Sequence, residues 1–445
     1  MGVAGAGMSA LALIARRRGV AVTGCDTEPG GAADVVAAGA QVLQGHDPAH
    51  VSKARGVVYT AAVPAEHAEL RAARAAGIPV IRRADALQLV VQGGTLVAVA
   101  GTHGKTTTTV MTTEALAAAG RHPTGIAGGR VASWGGNARL GGPDLFVAEA
   151  DEYDRAFLSL DPDVAVVNNV EADHLECYGT VAALEAAFVE FAGKGQRALF
   201  GADDGGARRV AEAVGGERWL VGLAADADVR VEDVRQTSRV TRAVVKFPDR
   251  GEVALELVVP GVHNVRNGAM ALAVVAALGE DLDLAATALA RFTGVGRRFE
   301  VVGRAGDVLV VDDYAHHPSE VAATIAAARQ RFPGARLVAV FQPHLYTRTR
   351  LHGEALGIVL AAADHVVVTE IYAAREDPIA GVSGSAVARA ARRAGAPVAW
   401  VPDRDAVADA LVELVRPGDV VLTMGAGDIT QLGRELLGRL GGRAA

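Results

Sequence analysis

The chain has 445 residues, of which 50% are hydrophobic and 4% aromatic, and its formal net charge is −7. A single hydrophobic core stops growing at about 250 to 300 residues, so several domains are expected. The acidic balance, with arginines scattered in pairs and not aligned in a stripe, argues against a nucleic-acid-binding protein and favours chemistry on a small molecule. Abundant alanine and glycine beside few aromatic residues favour closely packed α/β layers.

The chain shows no signal for export or membrane insertion. Its two cysteines, Cys25 and Cys177, are too few and too far apart to indicate a disulfide framework or a zinc site built from cysteines. The longest apolar run, residues 269–278, is far shorter than the roughly 20 residues that span a bilayer. No leader with a basic start and an apolar middle precedes the first glycines. We therefore expect a cytoplasmic protein without a membrane span.

The first segment, residues 1–93, shows the strand–helix–strand pattern of a small α/β domain. Gly2, Ala4 and Gly7 stand where a G-x-G-x-x-G/A fingerprint places its small residues, and Asp26 follows about 20 residues later, as the ribose-binding acid would. The same residues also suit a close helix-to-strand turn that binds nothing. Dinucleotide binding and a purely structural turn therefore both stay open at this point.

The strand that should precede this fingerprint is too short. Strands usually have about five or six residues, and only residues 1–3 are available. In a doubly wound sheet this strand lies between its neighbours, so its loss leaves unpaired backbone groups inside the sheet. We therefore predict a truncated first strand, and we expect the natural chain to start upstream of Met1.

The sequence VAVAGTHGKTTTT, residues 97–109, predicts a phosphate-binding loop. An apolar strand is expected at residues 96–100 and a helix at residues 107–119. A turn at a helix N-terminus directs backbone N–H groups at an anion, while a lysine reaches the phosphates and a threonine hydroxyl can bind Mg²⁺. Two residues separate the glycines, where the common loop has four. The loop residues are Gly101, Thr102, His103, Gly104, Lys105, Thr106 and Thr107.

Acidic and histidine side chains follow the next two strands of the predicted sheet. Glu149 stands near the end of the apolar run DLFVAEA and Asp151 directly after it, with Glu152 and Asp154 close behind, and His174 follows the strand DVAVVNNV. The carboxyl ends of parallel strands meet at one edge of a sheet, where ligand sites lie. Each residue alone also suits an exposed or capping position. Beside a phosphate loop, Glu149 and His174 together predict a shared metal site.

The last segment, residues 299–445, alternates strands with helical stretches, which predicts a second parallel sheet. The expected strands are residues 308–312, 337–341, 365–369 and 420–424. The chain is therefore predicted to be an α/β protein of three domains, residues 1–93, 94–298 and 299–445. The first and last domains are expected to be Rossmann-like, and the central domain P-loop ATPase-like.

The phosphate loop alone leaves three function classes open. A dinucleotide oxidoreductase would use residues 1–93 but would leave the loop, Glu149 and His174 idle. A P-loop switch or transporter ATPase would use the loop, yet the sequence offers no membrane segment or partner surface. The third class is an enzyme that uses ATP to activate a small-molecule substrate, and the three classes stay open at this point.

Seven segments of the chain resemble the Mur ligases of peptidoglycan synthesis. They are GTHGKTTTT, EADEYD, NNVEADHLECYG, PGVHNVRNGAMA, GRRFE, DDYAHHPSE and FQPHLYTRT, in the family's order over almost the whole chain. The resemblance implies that ATP, with Mg²⁺, phosphorylates the lactyl carboxylate of UDP-N-acetylmuramate and that the amine of L-alanine attacks the acyl phosphate. The alternative within the family is attachment of the recycled tripeptide L-Ala-γ-D-Glu-meso-diaminopimelate to the same sugar nucleotide. The first domain would then bind UDP, and the protein would be a monomer or homodimer.

The resemblance also implies site residues by their positions in these segments. The catalytic residues would be Lys105, Glu149, His174, His344 and Arg348. ATP would be bound by the loop residues 101–107 and by Asn264, Asn267, Arg298, Asp312 and Asp313. The UDP-sugar would be bound by Gly5, Gly7, Met8, Asp26, His46 and Asn137. Among the metal ligands, Thr106 would hold one Mg²⁺, and Glu149 and His174 would hold a second.

The chain departs from the family pattern at two places. Leu345 stands where some members have a second arginine, so one substrate contact of those members has no counterpart here. Some relatives also carry a carbamylated lysine that helps to hold the metal. The helix after His174 offers no lysine before Lys194 at its end, so we do not expect that ligand.

Overall fold

The computed structural model describes residues 1–374 and 376–443. These residues form two compact units. One unit comprises residues 1–234, 242–256 and 265–292, and the other comprises residues 235–241 and 257–264 with the described residues from 293 onward. Within the described ranges, every helix is too short or too polar to cross a membrane.

The N-terminal 93 residues form an α/β region with four short strands. Its elements are α1 (Ala6–Arg17), β1 (Thr23–Asp26), α2 (Ala33–Ala37), β2 (Gln41–Gln44), β3 (Val57–Tyr59), α3 (Ala68–Ala75), β4 (Val80–Arg82) and α4 (Arg83–Val91). The strands form two separate parallel pairs, β1 with β2 and β3 with β4. The predicted alternation of strands and helices is therefore confirmed.

Residues 1–3 contact both strand pairs without forming a strand. The amino group of Met1 donates to the Val58 carbonyl at 2.7 Å, and Gly2 N–H donates to the Cys25 carbonyl at 2.9 Å. So short a run makes only isolated bonds, because a β-ladder needs a longer extended backbone. Residues 1–3 therefore form no strand, and the sheet of this region is divided into two pairs.

The central region is built on a ten-stranded sheet. Its elements are β5 (Thr95–Ala100), α5 (Lys105–Ala118), β6 (Thr124–Val131), β7 (Gly136–Arg139), β8 (Leu145–Glu149), β9 (Val164–Val167), α6 (Leu175–Tyr178), α7 (Val181–Gly193), β10 (Arg197–Gly201), α8 (Gly205–Ala213), β11 (Glu217–Gly222), β12 (Val229–Gln236), β13 (Thr241–Phe247), β14 (Gly251–Leu257), α9 (Val262–Ala277) and α10 (Leu282–Leu289). The strand order is β14-β13-β12-β11-β10-β9-β5-β8-β6-β7.

Strand β5 is central in this sheet and pairs in parallel with both β8 and β9. Its residues are almost all buried, as expected for an aliphatic strand with both faces covered. The predicted strand and helix around the phosphate loop are confirmed as β5 and α5. Because the three strands are parallel, the loop after β5 and the carboxyl ends of β8 and β9 lie at the same edge of the sheet.

The C-terminal region contains a six-stranded sheet. Its elements are β15 (Glu300–Ala305), β16 (Val308–Asp313), α11 (Pro318–Arg331), β17 (Leu337–Phe341), α12 (Tyr346–Leu360), β18 (His365–Val368), α13 (Ser385–Arg393), β19 (Val398–Trp400), α14 (Val407–Leu414), β20 (Val420–Met424) and α15 (Leu432–Arg443). The order is β15-β16-β20-β17-β18-β19.

The pairing in this second sheet is parallel except between β15 and β16, which are antiparallel. Successive residues of β16 pack into two different cores, Val308 and Val310 in one and Leu309 and Val311 in the other. Both faces of the sheet are therefore covered, as in a doubly wound fold. The four strands predicted from sequence are confirmed as β16, β17, β18 and β20.

Candidate active site

The phosphate loop has a backbone shape that requires its two glycines. Gly101 has φ 133°, and a Cβ there would lie 3.0 Å from Asn168 Cβ. Gly104 has φ 76°, and a Cβ there would lie 2.7 Å from Asn267 Oδ1. Residues with side chains avoid such φ values, and here the space is also filled. Gly104 caps α5 without a side-chain hydrogen bond, so N–H groups of the first helical turn can meet an anion.

An asparagine after β9 holds the middle of the loop. Thr102 N–H donates to the Asn169 carbonyl at 3.0 Å, and His103 N–H donates to Asn169 Oδ1 at 2.7 Å. The Asn169 amide donates back to the His103 carbonyl at 3.1 Å. The N–H groups of Thr102 and His103 therefore already donate within the protein. The part of the loop that faces an anion is the helix start that follows them.

Lys105 points into the acidic side chains that follow β8. Its Nζ lies 2.8 and 2.7 Å from the two carboxylate oxygens of Glu152, and 2.7 Å from the carbonyl oxygen of Gly101. Burial lowers the pKa of Lys105, but the charges of Glu152, Asp151 and Glu149 outweigh this effect and raise the pKa to about 12. The structure therefore brings Lys105 together with the predicted acids. With this raised pKa the lysine is a cation at neutral pH.

Glu149 lies at the end of β8 and packs on the backbone of β6. Its Oε2 accepts the Gly128 N–H at 2.6 Å, and a Cβ at Gly128 would lie 2.6 Å from Oε1. Only a glycine at residue 128 therefore lets this carboxylate approach. Thr106, in the first turn of α5, is 5% exposed. A fixed carboxylate and a threonine hydroxyl are hard oxygen ligands of the kind that Mg²⁺ prefers.

His174 precedes α6 with a left-handed backbone, φ 53° and ψ 33°. This conformation costs a non-glycine residue about 1 to 3 kcal/mol and is common at functional sites. Its Nδ1 lies 3.2 Å from Glu176 Oε1, and its ring meets the Tyr153 ring edge to face at 5.1 Å. Histidines that bind metals are often oriented by a carboxylate in this way. His174 also interacts electrostatically with Glu152, the partner of Lys105.

The two asparagines predicted to bind ATP have different surroundings. Asn267 lies beneath the phosphate loop, where its Oδ1 accepts from Thr108 Oγ1 at 3.2 Å. Asn264 belongs to the other compact unit, and its amide donates to the Pro260 carbonyl at 2.7 Å. The structure therefore brings Asn267 to the loop, while the observed contact of Asn264 ties the start of α9 to the turn before it.

The start of α1 has the features of an anion site. Gly5 precedes the helix without a side-chain cap, and Met8 is buried in the first turn. Gly7 lies against the side chain of Arg83, so a side chain at residue 7 would require the arginine to move. Arg83 Nη2 also lies 3.5 Å from Asp151 Oδ2. An uncapped helix start beside an arginine suits a diphosphate.

Three other residues predicted for the UDP-sugar already have partners within the protein. Asp26 accepts from Ala4 N–H at 2.9 Å, and its second oxygen also accepts a backbone N–H, so the acid holds the glycine turn. Asn137 accepts from Ser9 Oγ at 3.1 Å, which ties β7 to the first turn of α1. His46 contacts a buried carboxylate 3.0 Å away. The structure therefore shows a supporting role for all three.

Asp312 and Asp313 end β16 and are both buried. Asp312 accepts from Thr423 Oγ1 at 2.6 Å, and Asp313 accepts from Phe299 N–H at 2.7 Å. Burial raises the pKa of Asp313 to about 6 against the opposing charge of Arg298. The strand thus ends in two acids whose orientation is fixed from within their own unit.

His344 and Arg348 form one cluster at the start of α12. Arg348 Nη1 lies 3.0 Å from His344 Nδ1, and the His344 ring stacks on Tyr372 with centroids 5.8 Å apart. Leu345 between them has φ 67° and ψ 139°, which an L-residue adopts only under constraint. The structure brings together the two residues predicted to bind the amino acid and adds Tyr372 to them.

Sequence reasoning missed Arg83, Gly128 and the pairing of Glu152 with Lys105. For Glu152 the only available signal was the acidic run EADEYD, which does not distinguish one carboxylate from the next. Arg83 and Gly128 lie far in sequence from the residues they contact, Gly7 and Glu149. Such contacts follow from the fold and not from any local pattern.

Three sequence families match successive parts of the chain. Residues 1–94 match the family described as "Mur ligase family, catalytic domain", and residues 99–275 match the "Mur ligase middle domain". Residues 297–427 match the "Mur ligase, glutamate ligase domain". Together these matches span most of the three predicted domains.

Individual proteins are similar to the chain over nearly its full length. A UDP-N-acetylmuramate–L-alanine ligase of Burkholderia cenocepacia is 44% identical over 444 residues, which cover 96% of this chain and 95% of the relative. One from Thermobifida fusca is 43% identical, with 99% and 96% covered.

Two solved structures also match over the full length. The crystal structure of UDP-N-acetylmuramate-alanine ligase MurC from Thermotoga maritima has a TM-score of 0.84 at 28% identity, covering 99% of this chain and 98% of that chain. A murein peptide ligase from Psychrobacter arcticus has a TM-score of 0.74 at 26% identity, with the same coverage.

Proposed function

The chain belongs to the Mur ligase family, and from this premise we propose that it joins L-alanine to the lactyl carboxylate of UDP-N-acetylmuramate at the expense of ATP. The similarity to alanine ligases over nearly the whole chain supports this substrate pair. The observation that carries the chemistry is the Lys105 cation at an uncapped helix start, next to the carboxylates after β8. This is a site for moving a phosphoryl group between two anions.

The reaction proceeds in two steps. The bond between the γ-phosphorus and the bridging oxygen of ATP breaks, and a carboxylate oxygen of the sugar nucleotide bonds to that phosphorus, which leaves ADP and an acyl phosphate. The alanine nitrogen then bonds to the acyl carbon, phosphate leaves, and the nitrogen loses its proton. Lys105 and the N–H groups of the α5 start stabilise charge on the transferring group, which is the main contribution a protein makes to phosphoryl transfer.

The side chains near Lys105 fit bound Mg²⁺. Thr106 would hold one ion, Glu149 and His174 would hold a second, and the ions would supply positive charge to the phosphoryl group and the substrate carboxylate. Glu149 is held by Gly128 and His174 is oriented by Glu176, so both ligands have fixed positions. The metal would act with Lys105 to bring two negatively charged reactants together.

The remaining predicted residues are proposed to bind the three substrates. Asn264, Asn267, Arg298, Asp312 and Asp313 contact ATP in addition to the loop residues. Gly5, Gly7, Met8, Asp26, His46 and Asn137 contact or support the UDP-sugar, and Arg83 joins them at the diphosphate. His344 and Arg348 bind alanine, because an arginine guanidinium suits bidentate capture of a carboxylate. We place the enzyme in the cytoplasm as a monomer or homodimer.

The test is phosphate release from ATP and Mg²⁺ with UDP-N-acetylmuramate and either L-alanine or L-Ala-γ-D-Glu-meso-diaminopimelate. Release that requires both the sugar nucleotide and alanine, and yields the amide by mass spectrometry, is the expected result. Dependence on the tripeptide would instead identify the recycling reaction, and release without either acceptor would remove the ligase proposal. Lys105→Met should lower turnover by about a hundredfold to a thousandfold, whereas Lys194→Met, distant in sequence from the loop, should retain it.

A further inference from the structure

A buried polar cluster in the N-terminal α/β region combines His46, which is proposed above to contact or support the UDP-sugar, with two residues that have no part in the proposed reaction. Cys25 lies in β1, His46 follows β2, and Glu69 lies in the first turn of α3. Glu69 is 0% exposed and Cys25 is 4% exposed. The His46 side chain is 20% exposed, so the cluster borders solvent only on that side. A thiol, an imidazole and a carboxylate in one place are the donor types of a transition-metal site.

The two distances from the sulfur lie in the range of a tetrahedral zinc site, and the distance between nitrogen and oxygen is slightly shorter than that range. Cys25 Sγ lies 3.4 Å from His46 Nδ1 and 3.5 Å from Glu69 Oε2, and His46 Nδ1 lies 3.0 Å from that same oxygen. A tetrahedral Zn²⁺ with bonds of about 2.3 Å to sulfur and about 2.0 to 2.1 Å to nitrogen and oxygen separates its ligands by about 3.3 to 3.6 Å. The side chains could therefore bind the ion with only small movements.

The surrounding hydrogen bonds orient the carboxylate for this role. Glu69 Oε1 accepts from Asp47 N–H at 3.0 Å and lies 2.9 Å from His50 Nδ1. These partners hold one oxygen and leave Oε2 facing His46 and Cys25. A carboxylate fixed through one oxygen and binding through the other is typical of metal ligands supported by neighbouring donors.

A divalent cation would balance the charge of the cluster once the thiol has lost its proton. A thiolate and a carboxylate carry two negative charges, and a neutral imidazole adds none. One divalent ion makes the buried set neutral, which avoids the cost of burying unpaired charge. Sulfur and imidazole nitrogen select Zn²⁺ and similar ions over Mg²⁺, which prefers oxygen.

We propose that Cys25 Sγ, His46 Nδ1 and Glu69 Oε2 form a binding site for Zn²⁺ or a divalent ion of the same class, with water as the fourth ligand on the exposed side of His46. Binding replaces the thiol proton with the metal and releases it to solvent. The site would tie β1, the turn after β2 and α3 together in a region whose sheet is divided. The proposal does not depend on the ligase activity.

The first test uses tag-free full-length protein, stripped with a chelator and titrated with Co²⁺ in excess Mg²⁺. We expect one Co²⁺ per chain, with the sulfur-to-cobalt charge-transfer absorption that only a thiolate ligand produces, and its loss when Zn²⁺ is added. Cys25→Ser should abolish the absorption. Cys177→Ser, which removes the other of the two cysteines, should leave it unchanged.

A second readout does not depend on the spectrum. Zn²⁺ in slight excess should raise the thermal unfolding midpoint of the wild type and of Cys177→Ser but not that of Cys25→Ser. As a control, each protein should show a cooperative unfolding transition in the presence of chelator, which demonstrates that it is folded without metal. A wild type without thiolate–cobalt absorption would overturn the proposal. So would an absorption that Cys177→Ser removes and Cys25→Ser keeps. Neither measurement contains ATP or sugar nucleotide, so failure here leaves the ligase proposal untouched.

Discussion

Lys105 Nζ lies within 2.8 Å of both carboxylate oxygens of Glu152. The lysine that is proposed to meet the phosphates of ATP is therefore held by an acid of its own protein. The ion pair is buried, with the Lys105 side chain 14% exposed and that of Glu152 3% exposed. A phosphate that takes the lysine must replace this counter-charge, so Glu152 and the nucleotide compete for the same cation.

The first prediction follows from this competition. Glu152→Gln should lower the free energy of unfolding of the nucleotide-free protein by about 3 kcal/mol, because it leaves the buried Lys105 charge without its main partner. Saturating ATP with Mg²⁺ should shrink that deficit, since the phosphates then supply the missing charge. The measurement is thermal or denaturant unfolding with and without nucleotide. Asp154→Asn, at an exposed acid of the same run, should show no such nucleotide effect, and an equal deficit for Glu152→Gln in both conditions would contradict the idea.

A second prediction concerns the backbone beneath Glu149. A Cβ at Gly128 would lie 2.6 Å from Glu149 Oε1 and 2.7 Å from Oε2, so Gly128→Ala should push the proposed metal ligand out of position. We expect turnover at limiting Mg²⁺ to fall by about tenfold to a hundredfold, with partial recovery at high Mg²⁺. Gly193→Ala is the matched control because a Cβ there has nothing within 4 Å. Equal Mg²⁺ dependence in the two variants would argue against Glu149 as a ligand.

The parts of this site that sequence could predict are those in which neighbouring residues act together. Gly101, Gly104 and Lys105 stand within five positions, and the strand before them and the helix after them were visible as patterns. That residues 1–3 form no strand was predictable for the same reason, since counting the residues before the glycine turn was sufficient. Local backbone geometry carries both features.

Contacts between distant segments were beyond that reasoning. The choice of Glu152 as the partner of Lys105 depends on how the chain turns after β8, where Asp154 and Arg155 both have φ 54°. Cys25 and Glu69 stand 44 positions apart and meet only because β1 and α3 pack in the same region. Residue type and spacing alone do not predict such contacts, because they depend on the tertiary fold.

The third prediction is a pH dependence that comes from Asp313. Burial raises the pKa of its carboxyl from 3.8 to about 6, so the folded state binds more protons than the unfolded state between about pH 4 and pH 6. Its contribution to the free energy of unfolding is full below about pH 4 and is lost as pH rises through about 6. Asparagine cannot titrate, so the thermal midpoint of Asp313→Asn relative to wild type should rise across this range.

The slope is the informative quantity in that experiment, because Asp313 accepts two backbone N–H groups and asparagine imitates this imperfectly. The variant therefore starts from a lower midpoint at acidic pH. Asp307→Asn, at an exposed acid in the turn before β16, provides the comparison. A difference between Asp313→Asn and wild type that stays constant from acid to neutral pH would show that Asp313 is not the titrating group.

The last prediction tests the assignment of the amino-acid site to the cluster at the start of α12. Arg348 is 7% exposed and lies 3.0 Å from His344, which stacks on Tyr372. Arg348→Lys keeps the charge but loses the planar pair of donors that matches a carboxylate. We expect KM for L-alanine to rise by about tenfold to a hundredfold, because one hydrogen bond to a charged group is lost. KM for ATP should change little. Arg350→Lys, at an exposed position two residues further along the same helix, should leave both constants near those of the wild type. If Arg348→Lys instead raised KM for ATP, or if the two variants behaved alike, the guanidinium of Arg348 would not be the group that holds the alanine carboxylate.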